Sequence, residues 1–489
     1  MLAAACAIVA IAALAWQRFA APRAPAPAPP LPLARFVPTP PPARWTRDQT
    51  ARLRAALADA FAPAIDGAGG WSLDVIARDG TTIYANRADH AVAPASVQKL
   101  IVAATALDAL GPDFRYDTIL AARQPVSAGG VLTGNLWLIG SGDPSLRYLD
   151  LRSGVQTLAR SGLRRIDGGV AIDASALRGP ETNPNWDPDD LSEDYAAPTS
   201  AVSLDEDTVE FDVTGTTAGA PAAVAVQPPS AAVSVTGTVA TSDGTDDVDV
   251  AQSGTPNDFI VSGSVPPGVR EQFYLPVHGL PEYAGAVVQR MLADRGITTT
   301  LPPSVSKAPL DTISLWMHRS PALRVLEAFM LVHSDNHYAE QLLRTVGGEA
   351  SGAPDDAGGI LAERRFLSER GIPAPGLRLL DGSGLAPGNR VAAVTLATLL
   401  SDAELRGGAS SLYLLLPQGG RQGTLRHYDF TTALGRVRAK SGHIGGVASL
   451  AGYVNTVHHG RITFAFSING SDGDPDAAIV RAVDRLATF

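Results

Sequence analysis

The sequence is poor in cysteine and lysine. Cys6 is its only cysteine, so the body of the chain is expected to hold no internal disulfide, cysteine-ligated zinc or thiol nucleophile. Of its 39 Lys and Arg residues, 36 are arginine and only Lys99, Lys307 and Lys440 are lysine. Arginine stays protonated under ordinary conditions, whereas a lysine can lose its proton when its pocket lowers its pKa. The three lysines are therefore the first positions to inspect for chemistry that arginine cannot perform.

Charged residues are also sparse. They make up 18% of the 489 residues, against 45% hydrophobic residues, which predicts a folded chain. Its length allows roughly two to four domains. The formal net charge is −10, which argues against nucleic acid as a partner because a phosphate backbone needs a basic surface.

The first 45 residues differ from the rest and are set apart from the fold prediction. Residues 1–16 are apolar, and a Pro/Ala-rich tract follows to about residue 43. The apolar run is shorter than the ~20 residues of a comfortable membrane span and lacks the usual preceding basic residues. A cleaved signal and a retained anchor both stay open. Either places the body outside the cytoplasm, with membrane contact only through this segment, and the tract predicts an extended spacer.

The remaining sequence predicts an α/β chain of the α+β kind with a long insertion. Helix and strand patterns cover residues 46–118 and return at residues 285–489, which we assign together to one domain. Short β-like runs fill the interval. We assign residues 119–205 plus 265–284 to a first inserted domain and residues 206–264 to a second.

The inserted region is acidic over one stretch: between Arg178 and Arg270 there is no lysine, arginine or histidine, while Asp and Glu are frequent. Such a stretch is either an accessory surface that faces substrate or partner, or a solvated face of an extracytoplasmic protein. We favour the solvated face, because charge runs usually have that role.

The first candidate site lies in APASVQKL, residues 93–100. Pro94 suits the first turn of a helix, and a spacing of three places Ser96 and Lys99 on one helix face. A serine hydroxyl is a poor nucleophile until a base removes its proton, and a neutral lysine one turn away can be that base. The helix N-terminus also favours negative charge developing on the serine oxygen. Ser-x-x-Lys alone is nevertheless a weak signal.

The chain contains a second Ser-x-x-Lys match for comparison, from Ser304 to Lys307. Pro303 directly precedes this serine and Pro309 follows shortly after the lysine, so an amphipathic helix cannot run through the segment. We predict a loop here and an ordinary surface lysine.

The triplet Ser334-Asp335-Asn336 lies at a predicted helix junction. A hydroxyl here could relay a proton, and an amide two residues on could hold a peptide group; a purely structural junction is the alternative. A similar triplet from Ser467 to Asn469 comes too late in the chain and falls in an apolar strand.

The third motif, Lys440-Ser441-Gly442, lies in a strand-like run. An ammonium and a hydroxyl on one strand edge can hold a carboxylate, and the glycine permits close backbone approach. The next N–H, that of His443, can point into the site.

The order of the three motifs is more specific than any one of them. Each has the context that its role needs, and two of the three lysines fall in them. The set resembles that of the penicillin-recognising serine enzymes. More specifically, roughly residues 47–489 resemble the D-alanyl-D-alanine carboxypeptidase/endopeptidase family, the low-molecular-mass class C penicillin-binding proteins. Further family-like stretches are NLWLIGSGDPSL (135–146), NWDPDDLSEDYAAPTSAVSLDED (185–207), DGSGLAPGNRV (381–391) and LPQGGRQGTLRHY (416–428).

This resemblance implies a transpeptidase-like domain, with an antiparallel sheet flanked by helices and a helical subdomain. Two accessory domains inserted between Ser96 and Ser334 also match the family. The resemblance assigns Ser96 as the acyl-enzyme nucleophile, Lys99 as its general base and Ser334 as a proton relay.

The same resemblance assigns the substrate-binding residues. Asn336 would bind the substrate side chain, Lys440 with Ser441 the terminal carboxylate, and the N–H groups of Ser96 and His443 would form the oxyanion hole beside Gly442. Position 441 is Ser where Thr is commoner, and position 443 is His where a small hydroxyl residue is usual. The His443 backbone role survives that change, but the carboxylate pocket need not.

The implied partners are peptidoglycan stem peptides as substrates and β-lactams as inhibitors, with no cofactor. We expect no metal, because His333 and His337 are four residues apart without a third ligand. A β-lactamase-like hydrolase and a non-catalytic wall-binding scaffold are the alternatives. The β-lactamase would need a glutamate that activates water, and no Glu-x-x-x-Asn pattern lies between Ser334 and Lys440.

Overall fold

A computed structural model describes residues 44–244, 246–406 and 411–489. The signal or anchor predicted within residues 1–45, and nearly all of the spacer, lie outside the described residues. Within the described ranges, no helix combines the length and the apolar character needed to cross a membrane.

Helices and strands alternate along the chain and are labelled in chain order. The α-helices are α1 (Arg47–Ile65), α2 (Lys99–Leu110), α3 (Tyr148–Arg160), α4 (Leu280–Ala293), α5 (Leu323–His333), α6 (Asn336–Val346), α7 (Asp356–Glu369), α8 (Ala393–Arg406), α9 (Leu412–Leu415) and α10 (Pro475–Thr488). The strands are β1 (Gly70–Ile76), β2 (Thr82–Asn86), β3 (Asp117–Ala122), β4 (Val131–Leu132), β5 (Leu136–Ile139), β6 (Arg165–Ile166), β7 (Val170–Asp173), β8 (Thr208–Thr214), β9 (Ala223–Gln227), β10 (Ser234–Gly237), β11 (Ala240–Thr241), β12 (Asp249–Gln252), β13 (Asp258–Ser262), β14 (Ser264–Val265), β15 (Arg270–Pro276), β16 (Thr298–Thr299), β17 (Ser304–Val305), β18 (Ile313–Arg319), β19 (Val437–Ile444), β20 (Val447–Asn455) and β21 (Arg461–Asn469).

A five-stranded antiparallel sheet in the order β19-β20-β21-β1-β2 supports the predicted α+β architecture. The closing strands therefore pair with the early hairpin, and β19 is an edge strand. Helices α1 and α10 share one hydrophobic core with this sheet. On α1 the residues Leu53, Leu57 and Phe61, at helical spacing, are buried and form its apolar face.

The other face of the sheet belongs to a second core, which contains residues of α2 and α5 to α8. On α2 every residue from Lys99 to Leu107 is buried. Helix α2 therefore lies inside the helical layer rather than at its surface. It ends at Gly111, whose φ is 80°.

The insertion forms a further core around a five-stranded sheet in the order β17-β7-β5-β3-β18. Smaller sheets, among them β15-β8-β9 and β10-β13-β12, follow the predicted mostly β character. Helix α4 packs in this core and strand β18 pairs in this sheet, whereas the sequence patterns group residues 285–319 with residues 46–118. The chain rejoins the second core, the one that contains α2, at α5, so the return lies near Leu323. The division into three domains stays a prediction.

Candidate active site

The nucleophile candidate Ser96 lies in a 3₁₀ turn, Ala95–Gln98, directly before α2. Ala95 has φ 50°, a left-handed conformation that is costly for a residue with a side chain. Two side chains of the five-stranded sheet hydrogen-bond to the residues just before this turn. Asn469 bonds both backbone groups of Ala93, at 2.9 and 3.1 Å, and the Ser449 hydroxyl donates to the Pro94 carbonyl at 2.7 Å. The late Ser-x-Asn triplet thus supplies a support for this turn.

The amine of Lys99 is fully buried and has three neighbours. Its Nζ lies 2.9 Å from Ser96 Oγ, 2.6 Å from Asn336 Oδ1 and 2.8 Å from the Ser383 carbonyl oxygen. The amide and carbonyl oxygens can only accept hydrogen bonds. A neutral amine has two N–H donors and one lone pair. When both donors are used by Asn336 and Ser383, the lone pair faces the Ser96 hydroxyl.

The electrostatics of the pocket favour that neutral form. Burial lowers the pKa of Lys99 from 10.5 to about 8, while the charges of Asp381, Glu340 and Asp335 oppose the shift. Desolvation penalises the ammonium more than these carboxylates stabilise it. At pH 7 roughly one Lys99 in ten is then neutral, against about one in 3,000 for an ordinary lysine.

The turn from Asp381 to Gly384, which begins the family-like stretch at residues 381–391, positions the Ser383 carbonyl. Glu340 on α6 accepts from the backbone N–H of Gly382 and Ser383, at 3.1 and 2.8 Å. Asp381 accepts from the Gly384 N–H at 2.9 Å and from Trp186 Nε1 at 3.0 Å. This role was not predicted from the sequence, because the turn contacts the candidate base through its backbone.

Burial raises the pKa of Glu340 to about 8, with the charges of Asp381 and Asp356 adding to the effect. Its carboxyl group is therefore partly protonated near neutral pH. This weakens the opposition to the lowered pKa of Lys99, and the backbone hydrogen bonds of the turn are kept in either form.

The predicted helix junction is confirmed between α5 and α6. Ser334 has φ 64°, and Asp335 caps α6 by accepting from the Tyr338 N–H at 2.9 Å. Asn336 donates from Nδ2 to the Tyr195 carbonyl at 2.7 Å, which directs Oδ1 toward Lys99. This left-handed backbone conformation of Ser334, between the two helices, presents its side chain beside the lysines.

Lys440 lies on edge strand β19 and is fully buried. Its Nζ donates to Ser334 Oγ at 2.8 Å and also bonds the Ser441 carbonyl. Burial, together with the positive charge of Lys99, lowers the pKa of Lys440 well below its usual range. We predicted a compact positive charge at this position. In the free site the two amines therefore resist being charged together, and an incoming carboxylate favours the charged form of Lys440.

The other two residues of this motif contact the loop that carries Thr424 and the turn that carries Ser96. Ser441 Oγ donates to Thr424 Oγ1 at 2.7 Å. In the sequence, Thr424 is noted only as part of the family-like stretch at residues 416–428. At Gly442, an added Cβ would lie 2.8 Å from Ser96 N and 3.0 Å from the Pro94 oxygen. Glycine is required at position 442 because strand β19 touches the turn that carries Ser96.

His443 follows on the same strand and lines the site cavity. Its Nε2 lies 2.8 Å from the Asp476 carboxylate in the first turn of α10. About half of the His443 side chain is exposed. The imidazole is thus anchored to α10, while the backbone of residue 443 stays in the strand beside Ser96.

A cavity of about 420 Å³ brings Ser96, Ser334, Asn336 and His443 together. Asp190 and Tyr195 of the acidic stretch also line it, so that stretch is not only a solvated face, contrary to the interpretation we favoured. The strands farther along, such as β10 with its four exposed residues, do fit that interpretation.

The remaining candidates lie outside the cavity. Lys307 is exposed next to the two-residue strand β17, which replaces part of the predicted loop. His333 is exposed and packs on Phe329, whereas His337 is buried and bonds the Ser203 hydroxyl at 2.7 Å.

Comparison with known proteins gives an independent view of the chain. A profile of the D-Ala-D-Ala carboxypeptidase 3 (S13) family matches residues 50–488. The chain is 31% identical over 449 residues to a D-alanyl-D-alanine carboxypeptidase of Actinomadura sp. (strain R39), covering 87% of this chain and 82% of that protein. It is 27% identical over 403 residues to D-alanyl-D-alanine carboxypeptidase DacB of Haemophilus influenzae, covering 79% of this chain and 83% of DacB.

Solved structures show the same likeness. Penicillin binding protein 4 (dacB) from Haemophilus influenzae superposes with a TM-score of 0.77 at 25% identity, covering 88% of this chain and 99% of that chain. A second structure of that protein, complexed with a β-lactam, gives a TM-score of 0.73, also at 25% identity, covering 88% of this chain and 98% of that one.

Proposed function

We propose a mechanism for this chain, which belongs to the D-Ala-D-Ala carboxypeptidase 3 (S13) family and is a serine-type D-alanyl-D-alanine carboxypeptidase. The enzyme acts on peptidoglycan stem peptides through an acyl-enzyme and binds β-lactams. The roles of individual residues are our proposal. The observation that carries it is the fully buried Lys99 amine, 2.9 Å from Ser96 Oγ with two acceptor-only partners on its other sides.

In acylation, Ser96 Oγ attacks the carbonyl carbon of the penultimate D-alanine while its proton passes to the lone pair of Lys99. Backbone N–H groups of Ser96 and His443 stabilise the negative charge on the carbonyl oxygen; losing one such donor typically costs about 10²–10³ in rate. The close approach of Gly442 to Ser96 supports this role, because it brings the strand backbone to the nucleophile.

Departure of the leaving amine requires a proton. Ser334 donates its hydroxyl proton to that nitrogen and recovers one from Lys440; the hydrogen bond from Lys440 Nζ to Ser334 Oγ at 2.8 Å supports this relay. The amide C–N bond then breaks and an ester to Ser96 remains. In deacylation, water replaces the amine, and the protons return through the same groups.

Substrate orientation depends on the terminal carboxylate. Lys440 and the Ser441 hydroxyl bind it, and the hydrogen bond from Ser441 to Thr424 fixes the hydroxyl rotamer until substrate arrives. The Asn336 amide, held by the Tyr195 carbonyl, lines the cavity that receives the stem peptide. A β-lactam has a carboxylate and a strained amide in comparable positions, so it acylates Ser96 in place of substrate.

We further propose an extracytoplasmic location, since peptidoglycan lies outside the cytoplasm. The apolar first 16 residues and the Pro/Ala-rich tract support this by providing a signal or anchor and a spacer.

The test compares wild-type protein with Ser96→Ala on a stem pentapeptide and on a fluorescent penicillin. We expect the wild type to release D-alanine and to acquire a stable label, and Ser96→Ala to do neither. Folded wild-type protein that takes no label would contradict the proposal. Rapid multiple turnover of nitrocefin would indicate the β-lactamase alternative, and labelling without D-alanine release would indicate the scaffold.

A further inference from the structure

A basic depression lies next to the residues that bind the terminal carboxylate. It has a volume of about 540 Å³ and is lined by His333, Arg421, Gln422, Thr424 and Arg426, among others. One hydrogen bond and one peptide bond connect this depression to residues of the proposed site. Thr424 accepts the hydrogen bond of the Ser441 hydroxyl at 2.7 Å, and His333 directly precedes Ser334 in the chain.

The loop that carries the two arginines has a well-bonded backbone. Gln422 N donates to the Gln418 carbonyl at 3.0 Å, and Gly420 N donates to the Leu425 carbonyl at 2.9 Å. Leu425 is fully buried. Gly423 packs against the Val332 carbonyl so closely that a side chain could not be added without a shift. The loop is therefore a firm support for exposed side chains.

The two guanidinium groups of the depression are not neutralised by the protein. Within the part of the chain that the structure describes, no carboxylate lies within 4.0 Å of Arg421 or Arg426, whereas Arg344 and Arg461 have ion pairs of 2.6 and 2.8 Å. This is notable in a chain with a net charge of −10. Two uncompensated cations beside a carboxylate-binding site favour an anionic ligand.

The two reactions that such an enzyme can catalyse, carboxypeptidase and endopeptidase cleavage, differ in the size of the leaving group. When a carboxypeptidase releases D-alanine, the leaving residue is a single amino acid whose carboxylate already faces Lys440 and Ser441. When a cross-linked pair of stem peptides is cut, the leaving group is a whole second peptide. Its remaining length has to continue past Ser441 and Thr424, and it brings further carboxylates, including that of its own chain end.

Building on the proposed function, we propose that Arg421 and Arg426 bind the carboxylates of the leaving stem peptide when the enzyme cuts a peptide cross-link. The depression is then a subsite for the second stem, and the two arginines determine specificity for cross-linked over single stem peptides. They act on binding of the leaving half and take no part in proton transfer.

The experiment measures kcat/KM for two substrates, a cross-linked muropeptide dimer and an uncross-linked pentapeptide. For the double variant Arg421→Gln/Arg426→Gln, we expect about a tenfold loss on the dimer, as for removal of a charge-assisted contact. D-Alanine release from the pentapeptide and penicillin labelling should stay within about twofold, since neither ligand reaches the arginines.

Two control variants distinguish an effect of the arginines on this loop from a general effect of the surface charge of the protein. Arg152→Gln/Arg160→Gln removes two exposed arginines on α3 that, among the described residues, also have no ion pair, and it should cleave the dimer like wild type. Arg421→Lys/Arg426→Lys keeps the charge and should retain most dimer cleavage. In the wild type, added salt should slow dimer cleavage more than pentapeptide cleavage.

The inference is overturned if wild-type protein does not cut the dimer, if the glutamine variant cuts it at the wild-type rate, or if the variant loses both reactions equally. These results differ from failure of the proposed function, in which wild-type protein would neither take the penicillin label nor release D-alanine from the pentapeptide.

Discussion

Replacement of Lys99 by arginine tests whether a removable proton is needed at this position. Arginine keeps the positive charge and several donors for the Asn336 and Ser383 oxygens. It cannot supply a lone pair to Ser96, because guanidinium stays protonated at all ordinary pH values. We therefore expect Lys99→Arg to remove base catalysis while leaving the pocket cationic.

The magnitude follows from the pKa of the buried amine. With the pKa of Lys99 near 8, about a tenth of the enzyme holds the neutral base at pH 7. A guanidinium with an ordinary pKa offers a neutral form at least on the order of 10⁴-fold less often. General-base catalysis typically contributes about 10²–10⁴ in rate. We expect acylation by penicillin to slow by about 10³-fold or more.

The assay is the second-order rate constant for labelling by a fluorescent penicillin, with thermal melting to check folding. Lys307→Arg is the matched control, since Lys307 ends the second Ser-x-x-Lys segment but is exposed. It should label like wild type. Lys99→Met, which adds no bulkier charged group to the buried site, covers the case in which Lys99→Arg does not fold. Labelling of folded Lys99→Arg within about tenfold of wild type would refute the assignment of Lys99 as base.

Two further predictions concern the same pocket. The pKa of Lys99 is about 8 in the folded protein and 10.5 in an ordinary lysine. Between these pH values the unfolded chain therefore binds more protons than the folded protein does. Below pH 8 the buried amine lowers the free energy of unfolding by about 3 kcal/mol. The stability of Lys99→Met minus that of wild type, from denaturant unfolding, should therefore fall as pH rises from 8 to 10.5; a constant difference would contradict the lowered pKa. Gly442→Ala should slow penicillin labelling by about tenfold or more, because its Cβ would lie 2.8 Å from Ser96 N. Gly129→Ala, where space is available, should label normally, and an unaffected Gly442→Ala would show that the strand backbone is not close to the nucleophile.

The candidate catalytic side chains stand out in the sequence because their proposed chemistry restricts residue type. Only three of the 39 Lys and Arg residues are lysine, which drew attention to Lys99 and Lys440, and the order of the short motifs linked them to Ser334. The structure brings these residues together through the direct contacts described above. The proline pattern around Lys307 also predicted correctly that this lysine is exposed.

The supporting groups could not be predicted in the same way, because many act through their backbone. The Ser383 carbonyl contacts Lys99, and the Tyr195 carbonyl orients Asn336, yet any residue type has a carbonyl. Thr424 is visible only as part of a family-like stretch. Its contact with Ser441 depends on how the loop packs against the end of α5, which no local pattern specifies.

The packing partners of individual helices could not be predicted in this way either. Periodicity shows that a segment is helical or extended but not which core it joins. Helix α4 packs with the insertion, although the helical pattern around it resembles that of the segments after residue 319. Helix α2 is buried at every residue from Lys99 to Leu107. Long-range contacts, rather than local pattern, decide both outcomes.

Mass spectrometry of peptides from penicillin-treated protein shows directly whether Ser96 is the nucleophile and whether it needs the Lys99 amine. We predict one covalent adduct, on the peptide that contains Ser96, formed rapidly in wild-type protein and scarcely at all in Lys99→Arg. An adduct on a different serine, or equally rapid formation without the Lys99 amine, would contradict it.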